Sequence, residues 1–338
     1  MADKQIENGR ALSDEVGNEI RDVEIRGKER RSRPRVIRPD GTTVLVARQN
    51  NAHQCAYGRG WAAYHADCVE FTSEMPEASV DLSIYSLPFA NLYVYSDDPR
   101  DMGNCADDDE FMEQYGFLVP HMLRVTKPGR MSCVHCIDLP SFKWKHGEVG
   151  LRDFPGMIIK AHIDAGWIYH SRVTIWKDPV TEMQRTKSIG LLHKQLKKDS
   201  TMSRQGLPDY LLIFRAPGEN DNPVSHTAAE FPVEQWQEWA SPVWMSIRQS
   251  VTLNREAARE SADEKHICPL QLDVIERCLT LWSNQGDVVF SPFMGIGSEG
   301  YQALKQKRRF IGTELKGSYF TQACGFLRQA EAEQETLL

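Results

Sequence analysis

Short apolar runs of strand length alternate with stretches of helical spacing in both the first and the last parts of this chain, and few architectures accept that alternation. Val80 to Tyr85 reads as a buried strand. Asp109 to Val125 then sets Phe111, Tyr115, Leu118 and Met122 at helical spacing, and Lys127-Pro128-Gly129-Arg130 stops that helix ahead of a strand at Met131 to Ile137. Phe154 to Ala165 predicts a helix ended by Gly166, and Trp167 to Trp176 alternates as a strand does. The rhythm resumes with a helix at Leu270 to Trp282, a strand at Asp287 to Phe290, a helix at Glu299 to Lys305 and a strand at Phe310 to Glu314. Such a chain is expected to fold as an α/β unit, a mainly parallel sheet with helices on both faces. Ligands of these sheets bind beyond the carboxyl ends of the strands.

A length of 338 residues accommodates one large α/β domain, or a core carrying a substantial insertion. The stretch 178–262 breaks the rhythm. It is rich in Pro, Gly, Asn and charge, with Tyr210 to Phe214 as its one clear strand and a tryptophan cluster at Trp236, Trp239 and Trp244. A structureless loop of that length is improbable inside a compact domain, so it predicts a functional, irregular insertion. Residues 1–50 are charge-rich and poor in aromatics, and read as an arm that ends in a short strand at Thr43 to Val46. The N-terminal MADKQIENGR is too charged for a secretory signal. No apolar run approaches the roughly 20 residues that span a bilayer. A cytoplasmic location and no membrane partner are the expectations. The eight cysteines are scattered and suggest reduced thiols. Cys133 and Cys136 form a lone C-x-x-C inside a strand-like run, with no second pair at zinc spacing, so no metal site is expected.

Two of the strands end in turns whose residue types carry chemistry. One is Ser86-Leu87-Pro88-Phe89; the other is Ser291-Pro292-Phe293-Met294-Gly295-Ile296-Gly297-Ser298. Gly295 and Gly297 let the second turn approach a ligand closely. Glu314 ends the next strand, 23 residues beyond Ser291, where an acid accepts hydrogen bonds from ribose hydroxyls. The phosphate-cradling G-x-x-x-x-G-K-[ST] is absent, as is the third glycine of the dinucleotide fingerprint. A nucleoside cofactor that needs no phosphate cradle fits this pattern, S-adenosylmethionine better than NAD or ATP. In the first turn, the Ser86 hydroxyl and the Leu87 carbonyl are suited to accept from the two N–H groups of an exocyclic amine. That localises a lone pair otherwise delocalised into the ring. Phe89 offers a face on which an extruded base stacks. The alternative is an ordinary strand-to-loop junction with Phe89 in the core.

Taken in order, these segments resemble those of the β group of amino-methylating DNA methyltransferases. Asp81 to Phe89 looks like their (D/N/S)-P-P-(Y/F/W) catalytic motif, and Ser291 to Ser298 like their D-P-F-x-G-x-G-T cofactor motif. The catalytic motif comes first and the cofactor motif last, the permuted order of that group. His266-Ile267-Cys268-Pro269-Leu270-Gln271 resembles the segment ahead of the cofactor strand, which would bring His266 and Cys268 to the cofactor. Tyr64-His65-Ala66-Asp67-Cys68 resembles the early G-D-C segment, whose acid, here Asp67, would face the adenine; Arg308 to Glu314 matches the pattern of the following strand. Within the group, S-L-P-F and S-P-F-x-G-I-G-S-E-G look most like phage- and prophage-borne methylases.

The resemblance implies a Rossmann-like methyltransferase fold with a catalytic half over 51–177, an insertion over 178–262 and a cofactor half over 263–338. It implies methyl transfer from S-adenosylmethionine to the N4 of cytosine or the N6 of adenine in DNA. Ser86, Leu87, Pro88 and Phe89 would hold the base, and Asp67, Ser291, Pro292, Phe293, Gly295, Gly297, Ser298 and Glu314 the cofactor. Target recognition would fall to the insertion, where Arg185, Lys187, Lys194, Lys197, Lys198 and Arg204 suit phosphate contacts despite a net charge of −7. Three positions depart from the group's patterns. Leu87 keeps the carbonyl of the first proline but not its rigidity, Ser291 lacks the acid of the cofactor motif, and Ala66 replaces a glycine. Open alternatives are the same chemistry on RNA or protein, and a binding module without turnover. Monomer and homodimer are both open.

Overall fold

The computed structural model describes residues 54–88, 98–141, 146–186, 193–253 and 269–336. In the N-terminal region it describes four short strand segments, Leu12–Ser13, Glu19–Asp22, Arg35–Ile37 and Thr43–Leu45. The rest of the expected arm, with Arg30, Arg31 and Arg33, lies outside the described residues.

The strands that matter for function are β1 (Gln54–Tyr57), β2 (Trp61–His65), β3 (Val80–Ser86), β4 (Thr126–Cys136), β5 (Ile168–Ile175), β6 (Asp209–Arg215), β7 (Val243–Trp244), β8 (Val288–Ser291) and β9 (Arg309–Glu314). They lie in one sheet in the order β1-β2-β9-β8-β3-β4-β6-β5-β7, with Leu12–Ser13 and Glu19–Asp22 beyond β1. The run β2-β9-β8-β3-β4 is parallel throughout. β6 is antiparallel to both of its neighbours.

Helices cover both faces. α1 (Cys68–Glu74), α2 (Asp108–Val125) and α3 (Phe154–Asp164) pack on one side, where Phe111, Tyr115, Phe154, Tyr85 and Phe290 form a core. α4 (Leu272–Trp282), α5 (Ser298–Lys305) and α6 (Gly317–Thr336) pack on the other, over Leu82, Ile84, Val289 and Phe310. The strands are apolar on both sides, as a sheet buried between two helical layers requires. Helix starts are set by aspartates that accept a backbone N–H in the first turn: Asp67 from Glu70, Asp107 from Glu110 and Asp153 from Gly156.

The stretch expected to be a separate insertion, 178–262, is divided by a core element. β6 lies between β4 and β5, with Leu211, Leu212, Ile213 and Phe214 all fully buried. Its flanks, rich in Pro, Gly and Asn, concealed that placement, because strand order depends on partners remote in sequence. The end of the stretch also returns to the sheet, since β7 pairs with β5 and Trp244 is buried. Arg277 of α4 lies between the Trp239 and Trp244 rings, at 5.1 and 4.9 Å, whereas Trp236 is exposed. Cys133 and Cys136 are both buried in β4.

Polar groups at the amino ends of the central strands fix their alignment. Arg130 of β4 is 2% exposed, pairs with Asp287 just before β8, and donates from Nε to the Asp81 carbonyl of β3 at 3.1 Å. Asp81 in turn accepts from Lys127 Nζ at 2.7 Å and from the Val288 N–H at 2.9 Å. One arginine thus joins three adjacent strands. Arg130→Met should cost about 3–5 kcal/mol, the usual penalty for leaving a buried partner charge uncompensated. Urea unfolding checks it, and a loss below about 1 kcal/mol would contradict this account.

His162 of α3 is fully buried and stacks on Phe214 of β6 with ring centroids 3.8 Å apart. Burial pushes its pKa down to about 3, although its Nδ1–H donates to the Ile158 carbonyl at 2.9 Å. The unfolded chain, with a histidine pKa near 6.5, binds the extra proton first, so this group's share of stability is lost as pH falls from about 6.5 toward 3. The slope approaches about 1.4 kcal/mol per pH unit. His162→Phe should flatten that part of the stability–pH curve, measured by denaturation at a series of pH values.

Candidate active site

Strand order reverses between β8 and β3. The connection from β8 through α5 leads outward to β9, and that from β3 through α2 leads the other way to β4. Crevices at such switch points are where open α/β sheets bind ligands. The cleft here, open to solvent, spans about 1000 Å³ and is lined by residues of both turns, Ser86, Leu87 and Pro88 on one side and Pro292 through Ile296 on the other. Two turns some two hundred positions apart in sequence therefore share one cavity.

The first turn is held from β4. The Leu87 N–H donates to the His135 carbonyl at 3.2 Å, and the Ser86 hydroxyl lies 2.9 Å from His135 Nδ1. The second turn is held from β9. Glu314 accepts from the Gly295 N–H at 2.9 Å and from the Lys316 N–H at 2.8 Å. Gly295 has φ +52° and open space where a Cβ would point, so its backbone faces the cleft bare. Gly297, at φ +90°, serves packing instead, because a Cβ there would meet Ala323 of α6 at 3.1 Å. It fits turn to helix and does not line the cleft, contrary to the expectation that it passes beneath a ligand.

The other expected residues divide in the same way. Asp67, Pro292, Phe293, Ser298 and Glu314 line the cleft. Asp67 also caps α1, and Phe293 packs on Tyr85 with centroids 6.0 Å apart. Ser291 is fully buried at the end of β8 and does not reach the cleft, because strand alternation turns its side chain into the core. Phe89, Lys187, His266 and Cys268 lie outside the described residues, as does the side chain of Arg185. Pro269 and Leu270, just past Cys268, do line the cleft. Lys194, Lys197 and Lys198 are exposed, while Arg204 pairs with Glu182 at 3.6 Å.

Several cleft groups are not apparent from the sequence. Glu299 is 3% exposed, lines the cleft, and has no basic partner among the described residues. Burial pushes its pKa up to about 8; its own backbone N–H opposes the shift and nearby Glu314 adds to it. Burial likewise raises Glu314 to about 7, although backbone N–H groups of Lys316 and Gly295 oppose it. The signal for Glu299 is an acid directly after a glycine turn, in S-E-G. His135 of β4 and Asp209 of β6 carry no such signal, since each acquires its place only when the strands align. Their chain extends from Ser86 to His135, whose Nε2 lies 3.2 Å from Asp209 Oδ2, and Asp209 pairs with Lys177. Burial alone would raise the Asp209 carboxyl, but His135 and Lys177 outweigh it and hold it below the usual range.

This architecture, with a five-strand parallel core and a cleft at its switch point, is that of the Rossmann-like S-adenosylmethionine-dependent methyltransferases. The profile of the DNA methylase family spans residues 80–324, and the chain belongs to that family. The chain is 29% identical over 127 residues to the type II methyltransferase M1.MboII of Moraxella bovis, across 35% of this chain and 47% of that protein. It spans at most about half the length of the curated relatives it matches. TTHA0409 of Thermus thermophilus, solved with S-adenosyl-L-methionine, shares the fold at a TM-score of 0.58 and 21% identity, over 78% of this chain and 92% of that one. PvuII DNA methyltransferase, which is cytosine-N4-specific, does so at 0.57 and 15%, over 80% and 86%. No helix among the described residues is long and apolar enough to cross a membrane.

Proposed function

We propose that this chain transfers a methyl group from S-adenosylmethionine to the exocyclic amine of a base extruded from DNA. The observation that carries the reading is the shared cleft, with an amine-accepting turn on one wall and a glycine turn backed by acids on the other. The residues fit the cofactor. Asp67 and Glu314 offer acceptors for hydroxyl and amino groups, bare Gly295 admits close approach, and Glu299 supplies a buried acid with no basic partner among the described residues. We assign Glu299 the place of the acid that Ser291 lacks, as acceptor for the cofactor's ammonium. When bound, S-adenosylmethionine supplies an electrophilic methyl on a sulfonium.

The chain's own groups then act on the base. Ser86 Oγ and the Leu87 carbonyl accept from the amine, Phe89 stacks on the ring, and Pro88 keeps the turn in place. The apolar wall of Met102, Phe293 and Ile296 excludes water, which strengthens each polar contact inside. The catalytic half falls in 51–177 and the cofactor half in 263–338, joined by β6 from the middle stretch. The exposed excursions on either side of β6 carry target recognition. Lys194, Lys197 and Lys198, with Arg185 and Lys187, suit DNA phosphates, and Arg204 stabilises its loop through Glu182. Cytosine N4 is the favoured target on the strength of the leading serine.

Incubation with tritiated cofactor and unmethylated DNA should label the DNA, and nucleoside mass spectrometry should find N4-methylcytosine. Label in RNA or protein alone would overturn the reading, and N6-methyladenine would correct the base. Ser86→Ala with Phe89→Ala should lose turnover and keep cofactor binding.

The buried acid sets a pH dependence. Glu299 is protonated below about 8 and must ionise to hold a cation, so cofactor affinity should rise as pH climbs toward about 8 and turn down above it, where the cofactor's own α-ammonium loses its proton. Glu299→Gln should weaken binding by about 10- to 100-fold, the range of a charged hydrogen bond, and flatten the curve. Calorimetry across a series of pH values on both sides of that pKa reads both effects, the wild-type slope approaching roughly tenfold per unit.

A further inference from the structure

Four polar side chains cross the carboxyl rim of the sheet in a single file. Ser86 ends β3, His135 stands opposite it in register on β4, Asp209 opens β6 and Lys177 follows β5. Strand alternation puts all four on the same face as Ile84, Cys133, Leu211 and Ile175. His135 is 6% exposed and Asp209 1%, so water does not separate them. The file reaches the cleft only at Ser86.

We propose that His135 and Asp209 form a proton relay that acts through Ser86, extending the methyl-transfer reading to the fate of the amine proton. Forming the N–C bond breaks the donor's S–C bond, whose electron pair stays on sulfur. The amine nitrogen then carries a positive charge until one N–H proton leaves. Ser86 Oγ takes that proton while its own passes to His135 Nδ1, and Asp209 holds the resulting imidazolium. The proton is afterwards returned through Ser86 to solvent. The relay requires His135 Nδ1 to accept from the Ser86 hydroxyl and Nε2–H to face Asp209. The 3.2 Å contact from Nε2 to Asp209 Oδ2 is not aligned as a hydrogen bond here, and such bonds commonly tighten once the substrate is in place. Lys177 keeps Asp209 ionised and off the histidine's second proton. The arrangement has the logic of a nucleophile, a base and an orienting acid, turned here to proton removal. The His135 backbone carbonyl also fixes the Leu87 N–H, so side-chain replacement leaves the turn tethered.

The test has two arms. In the first, the wild-type chain is labelled with nitrogen-15 histidine, and the His135 ring is assigned by correlation with its backbone. The expected signature is an unprotonated Nδ1 and a protonated Nε2, with Asp209→Asn shifting the balance toward Nδ1–H. A proton resident on Nδ1 in the wild-type chain overturns the relay. The second arm compares wild type with His135→Asn. The relay predicts a fall in kcat of about 10²- to 10⁴-fold, the scale of general acid–base catalysis, with cofactor affinity unchanged within about twofold. A His135→Asn enzyme within about threefold of wild-type kcat overturns the relay and leaves the proposed function standing. If wild type methylates no nucleic acid, it is the proposed function that fails, and the tautomer arm still decides the histidine's state. That arm uses the wild-type fold, so it decides for or against the relay even where a variant does not fold.

Discussion

Arg130 is the constraint on which the rest depends. Its guanidinium lies between Asp81 and Asp287, and its Nη1 donates to the Asn222 carbonyl at 3.0 Å. A charge so deeply buried is tolerated only with every partner in place, so it specifies one alignment of β8, β3 and β4 and penalises any slip. The consequence appears at the far end of the same strands. A shift of one residue would turn Ser86 to the opposite face and remove it from His135. The ion network at one edge of the sheet therefore sets the chemistry at the other.

The cleft is built on a contrast between two walls. The β3 wall offers neutral acceptors, a hydroxyl and a carbonyl, which suit an uncharged amine. The β8–β9 wall holds Glu299 and Glu314, both raised by burial, which suit a cationic ligand. Burial raises Glu299 to about 8 and Glu314 to about 7, which lowers the cost of holding two acids on one buried wall. The acid that the motif lacks at Ser291 has a counterpart on the same wall in Glu299, at the start of the following helix.

Much of the fold was legible in the sequence because it is encoded locally. The helices at 108–125, 154–164 and 272–282 follow from apolar spacing, and β3, β8 and β9 from apolar runs. The two chemistry-bearing turns were legible for the same reason, since Pro and Gly dictate backbone shape on the spot. β6 was visible as a strand but not as a member of the sheet interior, because its neighbours β4 and β5 lie far from it in the chain. Gly297 reads as a ligand contact when its positive φ and absent Cβ serve the packing of Ala323. A glycine's freedom is visible in a sequence; what it makes room for is not.

The amino-acid sequence by itself determined the class of fold, the permuted order of the two motifs and the chemical character of each turn, because these depend on residues within a few positions of one another. Only the tertiary structure decided that the turns share one cavity, that Ser291 turns inward while Glu299 faces the ligand space, and that Ser86, His135, Asp209 and Lys177 stand in line. Those facts are matters of register between strands distant in the chain. Register is settled by what can be buried together, which no local pattern records.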